Sequence, residues 1–207
     1  MRVLRLDELE GMNVFDTLVW KPVRKTLGVT AFGINAYTAA VAGDDVVEDH
    51  SETTNNHEEV YVVLSGRATF VIDGRELDAP AGTIVFMDDP AQRRAARAAE
   101  ADTTVLAIGG RPGTHEVSAW EYFFPALPHA RAGDFRRAKE IVLEGIAERG
   151  EHPALLYQLA CFEAQLGEAE AALDHINAAV AKDDRMRAWA RSDEDLRPIR
   201  NDPRFPR

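Results

Sequence analysis

The sequence predicts an α+β chain of two modules, an antiparallel β module followed by an all-α helix-turn-helix repeat region, and two patterns carry that prediction. In the first half, short apolar runs alternate with polar residues and close on Gly and Asp-Gly turns; in the second half, apolar residues recur at helical spacing in units 34 residues apart. The rhythm changes near residue 115, so two domains are expected, residues 1–113 and 114–207.

Alternation is clearest in Glu59-Val60-Tyr61-Val62-Val63-Leu64, in Ala68-Thr69-Phe70-Val71-Ile72 ahead of Asp73-Gly74, and in Thr83-Ile84-Val85-Phe86-Met87. Period-two runs rich in branched and aromatic residues, joined by Asp-Gly, predict antiparallel strands and hairpins. Thr17–Trp20 and Leu27–Tyr37 read as further strands, with Trp20 and Phe32 as core residues. In the second half Gly133 answers to Gly167, Ala138 to Ala172, Val142 to Ile176, Gly145 to Ala179 and Ile146 to Val180. Small residues at that period mark places where stacked helices approach closely.

A formal charge of −11 excludes nucleic acid as the main partner, because phosphate binding needs a basic stripe. Cys161, the single cysteine, allows no intramolecular disulfide and no thiolate metal cluster, and its helical surroundings suit a small buried hydrophobe. No run is long and apolar enough to span a membrane and no signal peptide opens the chain, so a cytoplasmic location without membrane contact is expected. No Ser or Cys sits in a nucleophile elbow, and Gly109-Gly110-Arg111-Pro112-Gly113 reads as an interdomain turn rather than a phosphate loop.

Pro80-Ala81-Gly82, preceded by Gly74 and followed by Thr83-Ile84-Val85-Phe86-Met87-Asp88-Asp89-Pro90, resembles the second motif of the cupin superfamily. Glu59 followed by Gly66 resembles the second half of its first motif, and the resemblance covers roughly residues 28 to 112. It implies a jelly-roll β-barrel whose mouth holds a metal on an H-x-H pair, a Glu and a third His. Glu59 takes the place of that Glu, whereas the His positions fall on Thr53, Asn55 and Arg93. Arginine stays protonated with no free lone pair, and Thr and Asn are poor ligands for a first-row metal.

Arg93 is therefore expected to face Glu59, a permanent cation where the metal would be, since a carboxylate inside a narrow barrel must be paired. Strand alternation would put Arg93 and Ala95 on the inner face and Arg94 on the outer one. Such a pair is either an ordinary barrel-mouth salt bridge or part of a grip on an anionic or polar small molecule, with Asn55 and Tyr37 as further candidate ligand contacts and no cofactor. The alternative is a divalent transition metal. The segment from Asp44 to Glu59 holds seven acidic residues and two histidines without Lys or Arg, so His50, His57 and Glu59, or Glu52 in place of His50, could form a ligand set. Against this, such a run also suits a solvated loop, and imidazoles beside carboxylates are commonly just hydrogen-bonded.

Ser118-Ala119-Trp120-Glu121 has capping-box spacing, so a helix should begin there and be kinked or restarted by Pro125 and Pro128. A complete unit runs from Pro153 through Leu155, Leu156, Leu159, Phe162 and Leu166 to Gly167, then through Ala172, Leu173, Ile176, Ala179 and Val180. This resembles the tetratricopeptide repeat over about residues 118 to 184, with Leu159, Ala160, Gly167, Ala172, Ile176 and Ala179 at family positions and Asp184 where the family carries Pro. So few repeats need cover. Leu196, Ile199 and Phe205 supply it as a C-terminal cap, with Met186 and Trp189 as cap contacts. The resemblance implies protein contacts or homodimerisation.

Three functions remain open from sequence. The favoured one is a non-enzymatic binding or regulatory protein holding an unknown small molecule. The others are a metal-dependent oxygenase or isomerase using His50, His57 and Glu59, and a purely structural dimer scaffold.

Overall fold

The chain is described here by a computed structural model over residues 4–15 and 18–207, without the side chains of residues 14 and 15. It divides into two compact units, residues 1–115 and 116–207.

The first unit contains β1 (Met12–Phe15), β2 (Leu18–Lys21), α1 (Val23–Leu27), β3 (Gly33–Ala39), β4 (Asp45–His50), β5 (Glu58–Ser65), β6 (Arg67–Ile72), β7 (Arg75–Pro80), β8 (Ile84–Met87), β9 (Arg94–Ala98) and β10 (Thr103–Gly110). All pairings are antiparallel and form a six-stranded sheet, β1-β2-β3-β10-β5-β8, and a four-stranded sheet, β4-β9-β6-β7. β3 pairs with β10, β4 with β9, β5 with β8 and β6 with β7, the nesting of one long hairpin rolled into a jelly roll. The β6–β7 hairpin turns on Asp73 and Gly74, both at positive φ, as a tight primed turn requires.

Alternation decides which side chains fill this unit. Tyr61 and Val63 of β5, Phe70 of β6, Val85 and Met87 of β8, Ala96 and Ala98 of β9 and Val105 of β10 are buried together. Their neighbours in sequence, such as Ile84, Phe86 and Leu64, point outward.

Three expectations for this unit need correction. Leu27–Phe32 is not strand: α1 ends at Leu27, Gly28 caps it in the left-handed conformation, and the strand starts only at Gly33. Phe32 is 46% exposed rather than core. Gly109 and Gly110 are not linker but the last residues of β10, paired with Glu59 and Glu58. Thr17, read as strand, lies outside the described residues.

The second unit contains α2 (Trp120–Arg131), α3 (Phe135–Arg149), α4 (Pro153–Gln165), α5 (Ala169–Lys182), α6 (Arg185–Ser192) and a short 3-10 turn at Glu194–Leu196. The Glu121 carboxylate accepts from the Ser118 N–H and the Ser118 hydroxyl accepts from the Trp120 N–H just ahead of α2, whose N-cap residue is Ala119, so only the Glu121 half of a capping box is made. The helix then runs unbroken through Pro125 and Pro128. Proline's fixed φ is itself helical, so the chain continues as helix although each ring removes a hydrogen bond from its interior.

Successive helices pack side by side, and the residues at the 34-residue offset occupy matching buried positions: Ala138 and Ala172, Val142 and Ile176, Gly145 and Ala179. Close approach explains the small residues, because a Cβ on Gly145 would overlap the Tyr122 ring, coming 2.7 Å from its Cδ2. Leu196, Ile199, Phe205, Met186 and Cys161 are all buried in this core, whereas Trp189 is largely exposed and meets Tyr157 only edge-on. Among the described residues no helix is long and apolar enough to cross a membrane.

One polar cluster lies inside the helices. Glu163 of α4 is 2% exposed, with Oε1 3.1 Å from Lys139 Nζ of α3 and Oε2 2.7 Å from His175 Nδ1 of α5. A buried carboxylate persists only when so matched.

Candidate functional site

Glu59 stands on the inner face of β5, with Tyr61 two residues on and on the same face. Across the ladder it faces Met87 on β8 and Gly109 on β10. The opposite sheet contributes Arg94, the first residue of β9, and His50, the last of β4, which are paired directly across from each other. Both sheets therefore converge on one carboxylate.

The convergence is on a single oxygen. Glu59 Oε2 accepts from Arg94 Nη2 at 2.9 Å and Nε at 3.3 Å and from the Tyr61 hydroxyl, and His50 Nε2 lies 3.6 Å away. The Arg94 guanidinium is 0% exposed, and its Nη1 donates to the carbonyls of Gln92 at 2.8 Å and Pro90 at 3.5 Å. Glu59 Oε1 accepts no hydrogen bond from any described residue, and the Glu59 side chain keeps 14% of its surface accessible. Burial pushes the Glu59 carboxyl up, but hydrogen bonds from His50, Tyr61 and Arg94 outweigh burial and hold it at about 2.

The same contacts set the neighbours. His50 is raised chiefly by its contact with Glu59, against an opposing effect of burial. Its Nδ1 lies 2.7 Å from the Glu48 carbonyl oxygen, so that nitrogen carries a hydrogen and Nε2 faces the carboxylates. Tyr61 is pushed far up by burial and then by the Glu59 charge, so its hydroxyl stays protonated. Tyr37, which packs against the core, is raised by burial and by the charges of Glu48 and Glu59.

Arg93 is not the partner of Glu59. Its side chain is 69% exposed and grips Asp49 with two hydrogen bonds, of 2.7 and 2.9 Å, on the outer surface. The expected alternation along this strand is present, but its parity is reversed: Arg94, Ala96 and Ala98 point in, while Arg93 and Arg97 point out. A one-residue slip exchanges the two faces of a strand completely. Sequence held a signal for the right parity, because Arg93 and Arg97 share a face, and burying one arginine is cheaper than burying two.

The other candidates divide. Asn55 is exposed in the turn after β4 and donates to Glu52 Oε2 at 2.8 Å, without reaching Glu59. His57 Nδ1 lies 3.7 Å from Glu52 Oε2. Of the possible metal ligands, the atoms that come within 4.8 Å of one another belong to His50, Glu52 and Glu59, so Glu52 takes the place expected of His57. Tyr61, Arg94 and Gly109 are the members that sequence reasoning missed. Tyr61 appeared in the sequence only as part of an alternating run, and it is core as well as site.

The four-ligand set that the cupin resemblance implies does not fit here. An arginine with no free lone pair is fixed on Glu59, and a divalent ion beside its guanidinium would meet like charge in a partly desolvated site.

No protein-family model matches the chain, and no curated protein matches it. Solved structures do. A cupin protein from Bacteroides fragilis is 27% identical, with TM-score 0.40, over 54% of this chain and 91% of its own. A sugar phosphate isomerase from a cupin superfamily, from Silicibacter pomeroyi, is 18% identical, with TM-score 0.44, over 53% of this chain and 76% of its own. A protein of Acidithiobacillus ferrooxidans assigned as a sugar phosphate isomerase is 24% identical, with TM-score 0.40. That match covers 45% of this chain, which spans only 59% of the other's length.

Proposed function

We propose that the β unit is a metal-free binding site for a polar small molecule and that the protein is regulatory rather than catalytic. The observation that carries this reading is the buried ion pair of Arg94 with Glu59. It neutralises the carboxylate that the cupin resemblance would make a metal ligand. A carboxyl held at about 2 is also a weak general base at neutral pH. The helical unit, read as a short tetratricopeptide-like region, then makes contacts with a protein partner or a second copy. Its exposed Trp120, Phe124 and Trp189 suit that role.

Elemental analysis of protein purified without chelator tests the reading. Substoichiometric iron, manganese, zinc and nickel is the expected result, and a stoichiometric ion lost in His50→Ala overturns it. The second reading is a metal-dependent enzyme of the oxygenase or isomerase kind, and the proximity of His50, Glu52 and Glu59 is what favours it. One imidazole and two carboxylates suit a divalent transition metal, with Arg94 withdrawn from Glu59.

A further inference from the structure

Gly109 lies directly across the β5–β10 ladder from Glu59, and Gly33 of β3 lies across from Gly109 on its other side. Glycine weakens a strand interior, so its presence there marks a close approach. A Cβ at position 109 would come 3.2 Å from Glu59 Cγ and 3.4 Å from Oε1, the oxygen that no described residue donates to. At Gly110, one residue on and facing the other side, the nearest atom to such a Cβ would be Phe32 Cβ at 3.9 Å.

What the site offers a ligand follows from which valences remain. Arg94 makes four hydrogen bonds, to Glu59, Gln92 and Pro90, and its side chain presents no surface. Tyr61 gives its O–H to Glu59. Among the groups gathered on Glu59, the open ones are acceptors: Glu59 Oε1, and beyond it Glu52 Oε1, which is 3.8 Å from His50 Nε2. Among the described residues, the cations that meet Glu59 are Arg94, which is engaged, and His50, which lies within 4 Å of both Glu59 and Glu52.

We infer that Gly109 is a specificity-determining residue of this site: by withholding a side chain it leaves Glu59 Oε1 open to a small ligand that donates O–H or N–H hydrogen bonds, and the site selects such donors over anions. This rests on the metal-free binding reading above and fails separately from it, since metal content decides that reading while ligand class and position 109 decide this one.

The test is an amide-resolved NMR titration of the full chain with millimolar sorbitol, putrescine and inorganic phosphate. Saturable shifts at Glu59, Gly109 and His50 are expected with sorbitol or putrescine, the two arms separating a neutral from a cationic donor, and none with phosphate. Gly109→Val should abolish the response while Gly110→Ala keeps it. If the valine variant does not fold, Gly109→Ala serves, weakening binding roughly tenfold as a misplaced methyl group does. Shifts with phosphate alone, no response to either donor, or a wild-type response in the position-109 variant overturns the inference.

Discussion

Replacing Arg94 by Met, which keeps most of its length but removes the charge, should destabilise the β unit severely. The size follows from Glu59. A carboxyl whose ordinary value is 4.5 and which folding holds at about 2 contributes about 3 kcal/mol at neutral pH, at ~1.4 kcal/mol for each tenfold change in affinity for the proton, a contribution shared among the hydrogen bonds from His50, Tyr61 and Arg94. Breaking a buried ion pair by removing one partner costs a similar ~3–5 kcal/mol, because the other charge is stranded. In a unit of 115 residues each kcal/mol moves the melting temperature by about 4 °C, so Arg94→Met should melt on the order of 12 °C lower. Because the folded value is depressed, this contribution is complete above the unfolded value near 4.5 and is lost as pH falls toward 2. Thermal and urea unfolding of wild type, Arg94→Met, Glu59→Gln and the double variant from pH 7 to pH 3 measures it. The double variant should recover about 2 kcal/mol of the summed single losses, since a neutral Gln no longer needs the cation. Arg93→Met, at an exposed pair, should leave the midpoint essentially unchanged. Equal losses at positions 93 and 94 would refute the reasoning outright.

His50 has a raised value in the folded protein, so its charged form stabilises fully below pH 6.5 and that contribution fades as pH rises through the raised value. Wild type should therefore gain stability over His50→Gln on going from pH 8 to pH 6, and a pH-independent difference between the two would contradict the assignment. Gly145→Val drives a side chain into the Tyr122 ring between α2 and α3 and should cost about 1–3 kcal/mol in urea unfolding of the helical unit, whereas Gly133→Asn, in an open turn at positive φ, should be tolerated. Lys139→Met leaves the Glu163 carboxylate with only His175 and should destabilise the helices by roughly 2 kcal/mol, more than Glu163→Gln, whose former partners can turn toward water.

Features set by local pattern were legible in the sequence. The Asp73-Gly74 hairpin, the alternating runs of β5, β6 and β8 and the buried register of Val142 with Ile176 all follow from period and turn chemistry. Features decided by pairing between distant strands were less so. The parity of Arg93-Arg94 shows only through Arg97, which shares a face with Arg93, and Gly109-Gly110 looks like a linker until Glu59 is seen across from it. Glu52 and His57 exchange roles because the turn after β4 folds back, its Glu52 N–H bonding the Pro90 carbonyl and its Asn55 and Asn56 N–H groups bonding the Glu52 carbonyl. The prolines of α2 do not restart the helix, because proline's fixed φ is itself a helical one.

The gathering of donors on one oxygen of Glu59 also fixes the other. A carboxylate whose Oε2 is clasped by Arg94 and Tyr61 can neither flip nor swing, so its free oxygen waits in a single orientation. Its rotational entropy is already spent in folding, and whatever docks there has only its own disorder to surrender.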